Sequence, residues 1–439
     1  MERSLSPEYT TAQDFLYSFI DYERDSKWIY DRQHFDLDRM HNLLVALGNP
    51  HEHGWCVHIA GTNGKGSVAA MISNALVAAG LRTGLYTSPH LVSFRERIRV
   101  NGSMITSEEI VEGVKRIKPA AQSIPDLTFF EVWTGLAFDH FARVPVDASV
   151  IEVGIGGRLD STNVITPAVS VITSISIDHL GKLGETLTDI AFEKAGIIKH
   201  RIPVVSAPQE QPVLRVLEER AKDKSAQFIL LGRDVHINTG RDRIDYNGRL
   251  WRLGNVYVPL NGFIQCQNAG VALAALETLA CNKYPVDSSA ARIGIETVQW
   301  PGRFQTISTH PEIIVDGACN TGAMFQVTEF LSSRCSRNKT VAVIAMCRDK
   351  EVAKVLDILR NAASTFVCTQ TINPRAAKAE ELAQLSPGTV TVIIEPDPAR
   401  AVGKATDIAG KEGTVIVTGS LYLVGEIMKL YGKESIEQI

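Results

Sequence analysis

The 439-residue chain lacks the features that would place it in several large functional classes. No apolar run approaches the ~18 residues a membrane span needs. The start, Met1-Glu2-Arg3-Ser4, leads into polar sequence without the apolar core of a signal peptide, so no membrane partner is expected. Basic residues are not in excess: 45 Lys and Arg stand against 49 Asp and Glu, a formal net charge of −4. Such a balance offers no electrostatic field for nucleic acid. There is no C-x-x-C pair, and the seven cysteines (56, 266, 281, 319, 335, 347, 368) are odd in number and scattered. Reduced thiols in a cytoplasmic protein are expected rather than a disulfide framework. Repeats and low-complexity tracts are also missing. His51, His53 and His58 have no Cys or acidic neighbour at ligand spacing, so they read as structural or solvated rather than metal-binding.

What is present is the composition of an ordinary globular protein, 45% hydrophobic and 21% charged. Its length exceeds one compact core and implies about two to three domains. The chemistry centres on Val57-His58-Ile59-Ala60-Gly61-Thr62-Asn63-Gly64-Lys65-Gly66-Ser67, an apolar strand entering a glycine-rich turn and then a helix. Small residues let successive backbone N–H groups converge on an anion, and the helix adds its positive end. Lys65 is placed to neutralise β/γ-phosphate charge and the Ser67 hydroxyl to ligate Mg²⁺. Gly66 separates Lys65 from Ser67, so this is a variant of the usual phosphate loop.

Taken in order, helices are expected over 12–22, 36–47, 68–79, 107–121 and 129–143, from about 187, and over 267–279. Strand Gly84–Thr87 empties into Ser88, and Arg99–Met104 reads as a hairpin on Asn101-Gly102. Strand Asp147–Val153 delivers Glu152 near its end, and strand Val169–Ile175 leads to Asp178-His179. The following Gly154-Ile155-Gly156-Gly157 lacks the further glycine of a dinucleotide fingerprint, which excludes a dehydrogenase. Parallel sheets align the C-terminal ends of their strands along one edge. Ser67, Ser88, Glu152 and His179 are therefore expected to share a site beside the phosphate loop. Further strands are expected over 203–207 and 227–231, and a small antiparallel sheet over 234–258.

A boundary falls near Trp300-Pro301-Gly302. Beyond it, strand patterns (312–316, 341–346, 365–369, 390–394, 414–418) alternate with helical ones (322–333, 351–362, 376–384, 398–408, 423–431). The fold class is α/β: an N-terminal P-loop-containing, mostly parallel sheet domain over 1–299, and a smaller C-terminal Rossmann-like α/β domain over 303–439. Asp316, Cys319 and Ser420 lie at strand ends of the second unit that would face a ligand held by the first.

From about Leu37 to Glu426 the chain resembles the dihydrofolate synthase/folylpolyglutamate synthase family of the Mur ligase superfamily. The resemblance rests on Gly61–Ser67, Thr87-Ser88-Pro89-His90-Leu91, Glu152–Asn163, Asp178-His179, Glu193–Lys199 and Pro301-Gly302-Arg303-Phe304. It implies that Gly61, Thr62, Asn63, Gly64, Lys65, Gly66 and Ser67 bind ATP, joined by Asn268, Arg303 and Asp316 from the cleft. It implies that Ser88, Glu152 and His179 hold Mg²⁺, and that a carbamylated Lys194 supports a second ion. Without the resemblance, Lys194 reads as a salt-bridge partner of Glu193 or a solvated charge. Lys65, Glu152, His179 and Lys194 are thus the candidate catalytic residues. Thr128, Phe130 and Asp160 match pterin-binding positions, with Cys319 and Ser420 as further substrate-binding candidates. The family usually has Asp-Gly-Ala-His-Asn where this chain has Asp316-Gly317-Ala318-Cys319-Asn320, and a thiol donates to an oxyanion less well than an imidazole.

The implied reaction is ATP-dependent addition of L-glutamate to dihydropteroate or a reduced folate through an acyl phosphate, by a monomer. A cell-wall Mur ligase is a weaker reading, since the roughly 50 residues before the loop leave no room for a UDP-sugar domain. A ligase for another pterin or secondary-metabolite carboxylate stays open because of Cys319. A non-catalytic nucleotide-binding regulator would be expected to have lost Ser88, Glu152, His179 or Lys194, and all are present.

Overall fold

The computed structural model describes residues 6–22, 30–31, 34–178 and 181–432. Eight strands build the first sheet: β1 (Trp55–Ala60), β2 (Thr83–Tyr86), β3 (Ile98–Val100), β4 (Ser103–Met104), β5 (Ala148–Glu152), β6 (Val169–Ile172), β7 (Val204–Ser206) and β8 (Phe228–Leu230). Their order is β4-β3-β2-β5-β1-β6-β7-β8, parallel from β2 to β8, with the β3–β4 hairpin antiparallel at one edge. The core strands are mostly apolar because both faces are covered, and the polar residues they carry, among them His58, Ser149 and Ser170, are buried. Leu85 and Val150 join the cluster formed with helices Lys65–Ala78, Phe263–Cys281 and Ser288–Glu296. Their sequence neighbours Tyr86 and Ile151 point the other way, into the cluster with helices Leu37–Ala46, Ser107–Ser123 and Phe129–Arg143.

A three-stranded antiparallel sheet follows, β9 (His236–Thr239), β10 (Arg243–Asn247) and β11 (Arg252–Tyr257), where alternation and the Asn247-Gly248 turn place it. The last sheet contains β12 (Gln305–Thr309), β13 (Glu312–Val315), β14 (Thr340–Ile344), β15 (Thr365–Cys368), β16 (Thr391–Ile394) and β17 (Thr414–Thr418). Its order is β12-β13-β17-β14-β15-β16, parallel except for β12. Trp300 packs against the core of the first sheet and Phe304 lies in that of the last.

Four expectations shift. The first helix runs Pro7–Tyr17 rather than 12–22, because the Ser6 hydroxyl accepts from the Tyr9 N–H and Pro7 presets the first turn. The strand expected over 169–175 stops at Ile172, since the next residues leave the sheet to meet the phosphate loop. The helix expected from Gln267 begins at Phe263. Strand β12 and helices Gln211–Asp223 and Ser288–Glu296 were not anticipated. Among the described residues no helix is long and apolar enough to cross a membrane.

Candidate active site

Strands β2, β5, β1 and β6 are neighbours, so the segments leaving their C-terminal ends meet along one edge. From β1 the chain turns through Gly61–Gly64. The N–H groups of Thr62 and Asn63 bond the Ser174 carbonyl at 2.8 and 3.3 Å, which ties the loop to the segment after β6. Thr62 Oγ1 donates to the Ser176 carbonyl and accepts from its N–H, both at 3.1 Å. Gly64 has a φ of +88°, and a Cβ there would lie 2.6 Å from Asn268 Oδ1, so glycine is required twice over. Helix Lys65–Ala78 starts directly behind it. Lys65 Nζ lies 3.9 Å from Glu152 Oε1. The Ser67 hydroxyl is buried without a hydrogen-bond partner in the protein.

From β5 comes Glu152, 3% exposed, whose Oε2 accepts the Ser88 N–H at 3.1 Å. Burial pushes its carboxyl above the usual range, against the opposing pull of Lys65 and the Ser88 N–H. Lys194 lies beneath the loop rather than in the cleft, and its Nζ donates to the Gly61 carbonyl at 2.8 Å. Burial, and then the charge of Lys65, lowers it to about 7. Glu193 is engaged elsewhere: Arg158 holds it at 2.9–3.2 Å. His179 lies outside the described residues.

A cleft of about 330 Å³ runs between the two large sheets. Thr62–Ser67, Ser88, Glu152, Thr128, Phe130, Asp160 and Asn268 line it from one side, and Arg303, Asp316, Cys319 and Ser420 from the other. Several of these side chains are already spoken for by the fold. The Thr128 hydroxyl accepts from the Glu131 N–H and caps helix Phe129–Arg143. Asp160 is 1% exposed; Oδ2 accepts the Ile155 N–H at 2.9 Å and Oδ1 the Thr162 N–H at 3.0 Å. Asp316 accepts the N–H groups of Phe304 and Ala318, and burial pushes its carboxyl upward. Ser420 caps helix Leu421–Leu430, and Asn268 donates to Gln265. Phe130 and Arg303 also line the cleft, and Arg303 Nη1 donates to the Gly302 carbonyl at 3.5 Å.

Two cations at the far end escaped the sequence reading. Lys350 follows β14 and Arg375 follows β15, and both line the cleft beside Cys319. Asp316 and Ser420 follow their strands within two residues, whereas Lys350 and Arg375 lie six and seven residues past theirs, beyond the reach of a strand-end rule. Tyr22, His34 and Phe35, at the opposite end near Phe130, were also missed. They precede the first strand and belong to no pattern.

Among the described residues no cluster of three or more His, Cys, Asp or Glu is assembled as a metal site. The donors that converge at the loop are instead hard oxygens: the partnerless Ser67 hydroxyl, Ser88 and the buried Glu152 carboxylate. That set fits Mg²⁺ completed by phosphate oxygens.

Two family models match the chain, the one described as "Mur ligase middle domain" over residues 59–276 and the one described as "Mur ligase, glutamate ligase domain" over residues 302–421. The chain is 33% identical to the dihydrofolate synthase/folylpolyglutamate synthase of Bacillus subtilis (strain 168), over 94% of this chain and 99% of the relative. It is 33% identical to the probable dihydrofolate synthetase of Schizosaccharomyces pombe, over 90% of this chain and 97% of the relative. Among solved structures it is similar to Mycobacterium tuberculosis folylpolyglutamate synthase complexed with ADP and AMPPCP, with a TM-score of 0.88 and 30% identity over 97% of this chain and 98% of that one. It is also similar to Escherichia coli FolC in complex with DHPP and ADP, with a TM-score of 0.87 and 31% identity over 99% of both chains.

Proposed function

The chain belongs to the dihydrofolate synthase/folylpolyglutamate synthase family of Mur ligases and is an ATP-dependent, ADP-forming ligase; we propose that its cleft joins L-glutamate to the carboxylate of dihydropteroate or a reduced folate. The observation that carries this reading is the gathering of Lys65, Ser67, Ser88 and Glu152 at one sheet edge, facing Arg303 and Asp316 across the cleft. A monomeric enzyme is part of this proposal.

A carboxylate is a poor acyl donor because oxide is a poor leaving group. Transfer of the γ-phosphoryl group to the acceptor carboxylate gives an acyl phosphate. The glutamate amine then attacks its carbonyl carbon, and phosphate leaves. Backbone N–H groups from Gly64 to Ser67, past the two that bond Ser174, cradle the triphosphate, and Lys65 neutralises charge on the transferring group. Ser67, Ser88 and Glu152 would hold Mg²⁺, which when bound spreads the negative charge of the phosphates. Phe130 forms an apolar wall for a flat ring, and Arg303 and Asp316 meet the nucleotide from the second lobe, taken here as residues 303–439. Apposition of the lobes keeps water from the acyl phosphate.

Lys194 completes this reading as a carbamate. Its amine would add to CO₂ with loss of a proton, and that requires the neutral form. A lysine at the ordinary value of 10.5 is neutral at pH 7 in about one molecule in three thousand; at about 7 roughly half are neutral. The Glu193 carboxylate, the alternative partner, is occupied by Arg158.

The test is ADP release by purified protein given dihydropteroate, tetrahydrofolate or neither, each with and without glutamate. Release should require both a pteroate-type acid and glutamate, and indifference to every such acid would end the folate reading. Lys194→Ala should abolish turnover and Lys194→Arg should not restore it. An active alanine variant would remove the carbamate.

A further inference from the structure

A polar network that the chemistry above does not use crosses the cleft. Asn63 belongs to the phosphate loop, yet its side chain bonds the opposite lobe. Asn63 Nδ2 donates to Asn320 Oδ1 at 3.2 Å, and Asn320 Nδ2 donates back to Asn63 Oδ1 at 3.0 Å. Asn320 Nδ2 also donates to Asp178 Oδ2 at 3.0 Å, while its Oδ1 accepts the Ala323 N–H at 2.9 Å as the cap of helix Thr321–Ser332. The Asn320 amide thus has both donors and both acceptor positions filled. The main-chain N–H of Ala323 can only donate, which fixes the end of the amide that carries oxygen.

The second oxygen of Asp178 takes Lys350 Nζ at 2.5 Å, with the two side chains only 12% and 9% exposed. Nearby, Lys182 Nζ lies 3.8 Å from Asp349 Oδ2, which Arg375 holds at 2.6 Å. The lobes touch closely here, since a Cβ on Gly322 would lie 2.7 Å from Ser176 Oγ. The phosphate loop, the segment after β6 and the start of helix Thr321–Ser332 are therefore joined by direct bonds.

We propose that Asn320, Asp178 and Lys350 form a clasp that registers the C-terminal lobe on the phosphate loop. Asn320 acts as a positioning residue: it touches the loop through Asn63 and carries the loop's geometry to the helix that it caps. Coupling of this kind is reciprocal. A loop shaped by nucleotide favours the engaged lobe, and an engaged lobe favours the loop shape that binds nucleotide. Breaking the clasp should weaken capture of nucleotide and of glutamate together, whereas the Phe130 end of the cleft, built on the first lobe, should be spared.

The experiment has two arms. In ligand-free solution scattering, Lys350→Glu sets like charge against Asp178 and should enlarge the radius of gyration; the milder Lys350→Gln should do so less. The exchange Asp178→Lys with Lys350→Glu should return it toward the native value. Circular dichroism identifies any variant that fails to fold, and Lys350→Gln then carries the test. An unchanged radius in the folded single variants would overturn the clasp. In the second arm, Asn320→Ala should raise the ADP dissociation constant and the KM for glutamate by about tenfold, with the KM for the pteroate acceptor within about twofold. Equal changes in all three constants would overturn the positioning role. The kinetic values rest on the ligase reading; scattering and ADP titration do not, so the two can fail separately.

Discussion

Gly154→Ala isolates the contribution of a single aromatic wall. Gly154 follows β5 two residues after Glu152 and is not among the residues with positive φ, so alanine there meets no backbone strain. Its Cβ would lie 2.4 Å from Phe130 Cζ and 2.7 Å from Cε1, where ordinary contact begins at 3.4 Å. The ring must retreat by about 1 Å, into the cleft or away from it. Overpacking of this size costs about 1–3 kcal/mol of stability. A 1 Å misplacement at a binding wall can cost up to ~100-fold in turnover efficiency. With ATP and glutamate saturating, initial rates of ADP release should show an acceptor KM raised by about 10- to 100-fold, and the KM for ATP unchanged within about twofold. Adding Phe130→Ala removes the collision, so thermal stability should recover while acceptor binding does not. A Gly154→Ala enzyme with a native acceptor KM would refute the assignment of Phe130 to the acceptor pocket.

Two further outcomes follow from buried titratable groups. His58 is wholly buried against Thr162 Oγ1 at 2.9 Å, and burial, with a smaller push from Lys199, brings it from 6.5 down to about 3. Between those values the unfolded chain binds the extra proton, so its stabilising contribution is complete above pH 6.5 and is lost as pH falls toward 3, by up to ~1.4 kcal/mol per pH unit. Urea melts at pH 4.5, 5.5 and 7 should be shallower in pH for His58→Gln by one proton; parallel curves would refute the buried neutral imidazole. Burial also pushes the Cys319 thiol up despite the nearby Lys350 charge. Iodoacetamide at pH 7.5 should therefore alkylate exposed Cys281 first, with Cys319 slower by about tenfold or more. Faster modification of Cys319, read by peptide mass spectrometry, would contradict this.

The phosphate loop and the four-strand edge were legible because their signals are local. An apolar strand, small residues and a helix start lie within eleven positions, and parallel pairing does the rest. Lys350 and Arg375 were not legible for the opposite reason. Lys350 lies six residues beyond β14 and Arg375 seven beyond β15, and a charged residue that far into a loop is solvated by default. The tertiary partners Asp178 and Asp349 draw them inward. Thr128 and Asp160 came from resemblance alone, and the structure shows what the residues themselves do: one caps a helix, the other holds a tight turn. Those bonds place both at the cleft as rigid elements of its wall, and a ligand would meet groups whose orientation is already fixed.

Glu193 and Lys194 show how helix geometry divides labour between neighbours. Read as a pair of opposite charges, they invite a salt bridge. Consecutive side chains on a helix point about 100° apart and do not face each other, whereas residues three or four apart do. On helix Leu187–Ala195 that rotation sends Glu193 to Arg158 and Lys194 under the phosphate loop to the Gly61 carbonyl. Burial of the lysine follows from being aimed at a closed sheet edge rather than at solvent, and the depressed proton affinity follows from the burial. The lowered proton affinity of the amine beside the phosphate loop is therefore a consequence of one helix's phase. A one-residue shift of that phase would trade the amine for a carboxylate.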